Sequence, residues 1–271
     1  MADELIYLRG SPWSLKSVWT SHLMGLGDAS EQLTFTEFNP YQQFILKYRL
    51  PKNSGPITIP VLFPGDETPA LRSSDLIAQH LYKKVLKSGN AKGLDLKICD
   101  EEVKKWDEKS NEAMRFARGK TMEMDDVIPY LVPSFMTYIP GLVRLICYLQ
   151  NKHFISKYGE GDYKITLSSV EKSLSEANDR LEKAEFLVGD SLTYADVSFV
   201  SMLESMSPED YSKPLTVAAP AYNTHKFFRK LFEDKYKNLI PWKSKIMKKY
   251  MLDSVVENCT PALNRKLVPP T

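Results

Sequence analysis

The chain has 271 residues, of which 43% are hydrophobic and 26% are charged. This composition is that of an ordinary globular protein, and it excludes a disordered, collagen-like or coiled-coil chain. Lysine and arginine together number 36 against 34 aspartate and glutamate residues, giving a net charge of +2. A chain with so balanced a charge is not expected to bind nucleic acid. Its length favours two domains.

The cysteines and the first residues of the chain indicate the cellular compartment of the protein. Cys99, Cys147 and Cys259 form neither a CxxC pair nor a zinc-ligand spacing with histidine, so we predict no metal site and a reduced compartment. The first residues lack the basic and then apolar run of a signal peptide, and the apolar stretch 138–149 is too short to span a bilayer. We therefore expect a cytoplasmic protein with no membrane span.

The chain begins with the pattern of a strand, a turn and a helix. Apolar residues 5–8 precede the breakers Gly10-Ser11-Pro12, and apolar residues then recur at helical spacing up to Leu23. Proline is tolerated in the first turn of a helix, so Ser11 is predicted to lie at the helix N-terminus.

Two further strands and a helix are predicted before residue 86. Alternation over 33–38 predicts a strand parallel to the first, which Asn39-Pro40 ends. Residues 41–55 are expected to be a looser region, and 57–63 read as a strand that Pro60 bends or places at an edge. Serines before Asp75 then predict the cap of a helix.

Residues 87–99 are predicted to be a linker between domains. Beyond it, apolar residues recur at helical spacings, most regularly over 167–184, which predicts an all-helical domain over residues 100–250. The prolines between 129 and 140 predict kinked or interrupted helices. Residues 251–271 have no period and are predicted to be a C-terminal tail.

Several motifs, in their order and spacing, resemble those of glutathione transferases. In the first third these are Ser11-Pro12-Trp13-Ser14, Thr58-Ile59-Pro60-Val61 and the run from Leu71 to Ile77. In the second half, residues 186–197 are similar to the family's C-terminal signature and contain a capping box between Thr193 and Asp196. The resemblance implies a thioredoxin-like α/β domain over residues 1–86 followed by an all-α domain.

The resemblance also implies how glutathione binds. Ile59-Pro60 is a cis peptide whose Ile59 backbone pairs with the cysteinyl part of glutathione. Ser11 stands where serine-type members keep the hydroxyl that activates the thiol, since a helix N-terminus and a hydroxyl donor both favour the thiolate. Ser73 and Ser74 hold the γ-glutamyl carboxylate at a helix N-terminus.

Each site residue has a structural alternative. Ser11, Ser73 and Ser74 could be helix caps alone. Tyr7 is another hydroxyl close to Ser11, but its place inside the first strand favours core packing.

Trp13, with Met114, Phe116 and Met122, is predicted to line an apolar pocket for a second substrate. The alternative is that these aromatic and methionine residues belong to the core, where such residues at helical spacing are commoner. The four histidines are scattered, and none is assigned to catalysis.

The predicted function is that of a glutathione transferase-like enzyme, a homodimer that activates the glutathione thiol for attack on an electrophilic apolar substrate. A non-catalytic binding or assembly module is the first alternative, favoured by Ser73 in place of the family's usual acidic or amide residue and by the long stretch 120–154. A glutathione-dependent lyase or isomerase is the second.

Overall fold

The computed structural model describes residues 2–27, 30–51, 56–66, 68–88, 94–123, 164–210, 214–216 and 222–261, and the single positions 141, 145, 148, 149, 152 and 156. The prediction of kinked helices at the prolines between 129 and 140 lies outside the described residues. So do Cys147, the side chain of Met122 and the last ten residues of the predicted tail.

The N-terminal part is built on a mixed sheet of three strands in the order β2-β1-β3. They are β1 (Asp3–Tyr7), β2 (Leu33–Glu37) and β3 (Val61–Phe63). β1 is parallel to β2, as predicted, and antiparallel to β3. β3 is shorter than the predicted strand over 57–63. Beyond it, Leu71 forms an isolated antiparallel bridge to Leu62 through backbone hydrogen bonds of 2.8 and 2.9 Å.

Three helices accompany this sheet: α1 (Pro12–Leu23), α2 (Pro40–Arg49) and α3 (Ser74–Ser88). α1 begins where the sequence predicts, with Ser11 as its N-cap and Pro12 as its first residue. It packs against α3 on one side and the helical domain on the other. Because both sides are covered, its polar residues are buried along with its apolar ones.

The looser region predicted over 41–55 is wrong at its start, where α2 lies. The Asn39 side chain accepts hydrogen bonds from the backbone N–H groups of Tyr41 and Gln42 at 3.0 and 3.2 Å, and Pro40 is the first helical residue. Asn39-Pro40 thus ends the strand and also begins a helix, as an N-cap followed by a proline at the first position.

The second part of the chain is helical. Its helices are α4 (Glu101–Glu123), α5 (Leu167–Leu181), α6 (Tyr194–Met206), α7 (Tyr222–Lys235), α8 (Leu239–Tyr250) and α9 (Asp253–Cys259). Every residue of α6 is buried, because α1, α4, α7 and α8 surround it. The architecture is the predicted one: an α/β thioredoxin-like domain followed by an all-helical domain. None of the described helices combines the length and the apolar character needed to cross a membrane.

The predicted tail begins with one more helix. In α9, Val255 and Cys259 are buried, and the Ser254 hydroxyl lies 3.2 Å from Nδ1 of His22 in α1. The backbone N–H of Gly10 donates to the carbonyl of Cys259 at 3.0 Å. α9 therefore packs against the loop that carries Ser11.

Candidate functional site

Three segments of the N-terminal domain meet at one edge of the sheet. Ile6 pairs with Val61 in antiparallel register, so the end of β1 lies beside the start of β3. Leu71 pairs with Leu62 in antiparallel direction, so the chain that follows Leu71 returns to the same edge of the sheet. The loop carrying Ser11, the Ile59-Pro60 peptide and the start of α3 are therefore all positioned there.

Ser11 is half-buried at the N-terminus of α1. Its hydroxyl oxygen accepts a long hydrogen bond of 3.4 Å from the backbone N–H of Ser14, and its own N–H donates to the carbonyl of Leu8 at 3.1 Å. The Ser14 hydroxyl is fully buried and accepts from the N–H of Leu8 at 3.0 Å. Of the two hydroxyls, only that of Ser11 is free to reach a ligand, because its cap bond is weak and its side chain is open to solvent.

The Ile59-Pro60 peptide bond is cis, as the resemblance implied. Hydrogen bonds tie the segment before it to the start of α3. The Thr58 hydroxyl donates to the carbonyl of Arg72 at 3.3 Å, and the Arg72 guanidinium donates to the carbonyl of Pro56. Pro60 is buried and Ile59 is half-buried, and the hydrogen bonds hold this segment against the start of α3.

The start of α3 offers backbone donors at the same edge. The Ser73 carbonyl accepts from the N–H of Ile77 at 3.0 Å, and Ser74 is the first helical residue. The amides of a first helical turn have no partner within the helix, and the helix dipole favours an anion beside them. Ser73 is half-buried, whereas the Ser74 side chain is only 3% exposed.

Comparison with known proteins relates the second half of the chain to a known family. The family model described as the C-terminal domain of glutathione S-transferases matches residues 121–249. This part of the chain is similar to the C-terminal domain of glutathione S-transferases. No curated protein is a significant match to its sequence.

Solved glutathione transferases share the fold at low sequence identity. One from Methylobacillus flagellatus KT, with glutathione bound, is 16% identical, with 96% of this chain and 100% of that chain covered and a TM-score of 0.54. Glutathione transferase Xi 1 from Trametes versicolor is 12% identical over 96% and 83% of the two chains, with a TM-score of 0.59. Glutathione S-transferase I bound with lactoylglutathione is 15% identical over 96% and 99%, with a TM-score of 0.51.

Tyr7 is a core residue. Its ring is buried in β1, and its hydroxyl donates to Oδ1 of Asn258 at 3.4 Å. Burial raises the pKa of Tyr7 above its usual value of 10. A hydroxyl that stabilises a thiolate must donate its hydrogen to the sulfur, whereas the Tyr7 hydroxyl donates to Asn258 in α9.

Trp13 is partly buried against the core, with the Arg118 guanidinium of α4 4.8 Å from its ring centroid. Met114 and Phe116 are buried members of the core, and Phe116 makes an edge contact with Phe228 at 6.3 Å between ring centroids. Of the predicted pocket residues with described side chains, Trp13 is the one open to a ligand.

The sequence interpretation missed a buried polar cluster where the two domains meet. Lys16 of α1 is fully buried, and its ammonium lies 2.6 Å from Oδ1 of Asp107 in α4. The same ammonium is 3.1 Å from Oδ1 of Asn111 and 3.4 Å from the hydroxyl of Ser198 in α6. Every partner comes from a distant part of the chain, so no local pattern could have revealed the cluster.

Tyr194, the first residue of α6, borders this buried polar cluster. Its ring is 2% exposed, and the Lys16 ammonium lies 5.4 Å from the ring centroid. Burial is the main cause that raises the pKa of its phenol well above 10, and the carboxylates of Asp107 and Asp75 add to it. The phenol is therefore neutral. In the part of the chain that the structure describes, no cluster of His, Cys, Asp and Glu side chains is suited to a metal ion.

Proposed function

We propose that the chain binds glutathione at this sheet edge and stabilises its thiolate near Ser11 for attack on an electrophilic apolar substrate. The observation that carries the proposal is the convergence of the α1 and α3 N-termini, with the Ser11 and Ser74 hydroxyls, beside the Ile59-Pro60 peptide. Besides its glycyl carboxylate, glutathione presents two anions to this edge, a thiolate and a γ-glutamyl carboxylate. Two helix N-termini favour two anions.

In the proposed reaction, the glutathione thiol loses its proton to solvent and the sulfur is held as a thiolate by a hydrogen bond from the Ser11 hydroxyl. The thiolate then forms a bond to an electrophilic carbon, by addition or with loss of a leaving group. The rate gain comes from proximity and from a lowered thiol pKa, so no step needs a metal or a redox cofactor. Trp13 contributes an apolar surface to the second substrate.

The names of two structural neighbours support glutathione as the ligand. The Methylobacillus flagellatus transferase was solved with glutathione bound, and glutathione S-transferase I with lactoylglutathione. Ser73 limits the expected affinity, because a neutral hydroxyl stands where a carboxylate would accept the glutamyl ammonium. A carboxylate would add a full opposite charge to the hydrogen bond that a hydroxyl can accept from the ammonium.

Calorimetry with glutathione tests the proposal. We expect measurable but modest affinity in the unmodified protein, loss of binding in Ser74→Ala, and tighter binding, by about tenfold, in Ser73→Glu. Ser169→Ala is a matched control, because that serine lies in α5, away from the sheet edge. No heat at millimolar glutathione, with Ser73→Glu also silent, would overturn the enzyme proposal.

A binding or assembly module is the second candidate, and the outward face of α2 favours it. Tyr41, Phe44, Ile45 and Tyr48 recur at helical spacing and are exposed, Tyr48 by 89%. Contiguous exposed apolar residues mark interaction surfaces. We propose that this face forms part of the contact between two chains of a homodimer in the cytoplasm. Such a dimer is compatible with either function.

A further inference from the structure

The backbone at Gly10, directly before Ser11, is held from two sides by the helical part of the chain. Its N–H donates to the carbonyl of Cys259, the last residue of α9, at 3.0 Å. Gly10 also forms an isolated parallel bridge with Thr216, in the segment between α6 and α7. Gly10 is buried and has a φ of +79°, a backbone conformation that residues with a side chain rarely adopt. The turn that presents Ser11 is therefore shaped by contacts from distant parts of the chain.

Thr216 is fixed in turn against the end of α6. It is fully buried, and its hydroxyl donates to the backbone carbonyl of Glu204 at 3.3 Å. Leu215 beside it is also buried. Because α6 ends at Met206, the residue that pairs with Gly10 rests on the last turn of the helix that the rest of the helical domain surrounds.

A buried ion pair holds the chain where it leaves α6. Glu204 is 1% exposed and Lys243 of α8 is fully buried, with the ammonium 2.8 Å from Oε2 of Glu204. The same ammonium donates to the Ser207 carbonyl at 2.6 Å, and Oε2 of Glu204 also accepts from the N–H of Glu209 at 2.9 Å. The two charges thus bind backbone groups of the turn that follows α6 and leads toward Thr216.

Stability alone does not explain an ion pair at this place. Moving two charges out of water costs about as much as their attraction returns, and well-packed apolar residues of similar volume are often as stable. What the charges of Glu204 and Lys243 supply is geometry, because each makes directed hydrogen bonds to the backbone of the turn. They fix the path along which the chain returns to Gly10.

We propose that Glu204 and Lys243 are positioning residues, which set the place of the Ser11 hydroxyl through Thr216 and Gly10. The inference rests on the proposed function, in which that hydroxyl stabilises the thiolate of glutathione. The contacts are continuous from the ion pair, through the end of α6 and the bridge, to the turn before Ser11. They do not involve α3, whose N-terminus is proposed to bind the γ-glutamyl carboxylate. A change at the pair should therefore move the donor relative to the sulfur and leave the rest of the site in place.

The double variant Glu204→Met with Lys243→Met tests the proposal, because it removes both charges and keeps two side chains of similar length. We expect kcat with a generic electrophile to fall roughly 10- to 100-fold, since the Ser11 hydroxyl no longer meets the sulfur correctly. The thiol pKa of bound glutathione, followed by thiolate absorbance, should rise for the same reason. The affinity for glutathione in calorimetry and the midpoint of urea unfolding should change little. A merely structural role would lower affinity and stability together with kcat.

Further variants show whether the effect passes through Ser11. In the Ser11→Ala background, the same two substitutions should lower kcat no further, because the donor that they displace is already absent. Thr216→Val removes the hydrogen bond to α6 without touching the ion pair, and it should lower kcat and raise the thiol pKa. Thr216→Ser restores that hydroxyl and should recover most of kcat. Lys235→Ala is the control, since it breaks an exposed pair with Glu171 in the same domain, and it should keep the kcat of the unmodified protein.

The outcomes distinguish this inference from the proposed function. Activity that requires Ser11 but is unchanged in the double variant overturns the positioning role and leaves the proposed function standing. A further loss of kcat in the Ser11→Ala background also overturns the role. If the double variant does not fold, an unchanged kcat in Thr216→Val overturns it in the same way. No glutathione binding by the unmodified protein overturns both.

Discussion

The Lys16 ammonium and the Asp107 carboxylate lie 2.6 Å apart, and both side chains are buried where α1 meets α4. Asp107 also accepts from the Ser198 hydroxyl at 2.6 Å and from the Asn111 amide at 3.0 Å. This pair joins the helix that Ser11 caps to the helical domain. It fixes α1 in the core by charge as well as by packing.

Lys16→Met is expected to lower the free energy of unfolding by about 3–5 kcal/mol, because it leaves the Asp107 carboxylate buried without its counter-charge. Urea denaturation followed by circular dichroism measures the change. The double variant Lys16→Met with Asp107→Leu should recover most of the loss, since it buries no charge. Lys104→Ala, which removes an exposed pair with Glu101, is the control and should have little effect. A single variant as stable as this control would contradict the prediction.

Asp196 should give the stability a characteristic pH dependence. Its carboxylate accepts hydrogen bonds of 2.8 Å from the N–H of Leu187 and from the N–H and hydroxyl of Thr193, yet burial raises its pKa to about 6 from 3.8. The folded state therefore holds this proton up to about pH 6, whereas the unfolded chain releases it near pH 4. The protonated Asp196 carboxyl therefore stabilises the folded state fully below about pH 4, and this contribution is lost as the pH rises to about 6.

The measurement is urea denaturation of the unmodified protein and of Asp196→Asn from pH 4 to pH 7. The variant should be less stable throughout, because an amide cannot accept from all three donors. The difference between the two proteins should shrink by up to about 3 kcal/mol between pH 4 and pH 6. A difference that does not vary with pH would show that Asp196 does not titrate in this range.

The described cysteines should differ sharply in reactivity. Cys99 is exposed, whereas burial raises the pKa of the Cys259 thiol to about 12. The thiolate is the reactive form, so a thiol reagent at pH 8 should modify Cys99 rapidly and Cys259 only on unfolding. In a Cys147→Ser background, one thiol per folded chain should react, and further Cys99→Ser should abolish the fast phase. Rapid labelling of Cys259 would mean that α9 detaches readily from α1.

The α2 face should contribute to self-association. Sedimentation equilibrium of the unmodified protein at micromolar concentration is expected to give twice the chain mass of 31.0 kDa. Phe44→Asp introduces a charge into the exposed apolar face and should shift the protein toward the monomer. Leu86→Asp, at an exposed apolar position of α3, is the control and should remain dimeric. A monomer in the unmodified protein would contradict the proposed dimer.

The sequence prediction was correct mainly where the signal lies in residues that are adjacent in the chain. Ser11-Pro12 fixed the start of α1 because cap and proline chemistry is local. The same chemistry at Asn39-Pro40 was interpreted only as the end of a strand, so α2 was missed.

The polar cluster at the domain boundary could not be predicted in this way. Lys16 follows Leu15 in a helix with one evident apolar stripe, and a lysine beside such a stripe usually faces solvent. It is buried because α4 and α6, about 90 and 180 residues later, cover that face.

Ser11 is where the enzyme proposal is tested most directly. Ser11→Ala removes both the cap and the hydrogen bond to the thiolate. It should lower the free energy of unfolding by about 1 kcal/mol and lower kcat/KM with a generic electrophile by roughly 10- to 1000-fold. The thiol pKa of bound glutathione, followed by thiolate absorbance against pH, should rise in this variant.

Ser11→Asp separates the two roles. An aspartate caps a helix as well as a serine does, so stability should return to that of the unmodified protein. Its carboxylate would repel a thiolate, so activity should stay as low as in Ser11→Ala, and the thiol pKa of bound glutathione should rise further. If activity instead follows stability across the three proteins, Ser11 is a helix cap and the thiolate is stabilised elsewhere.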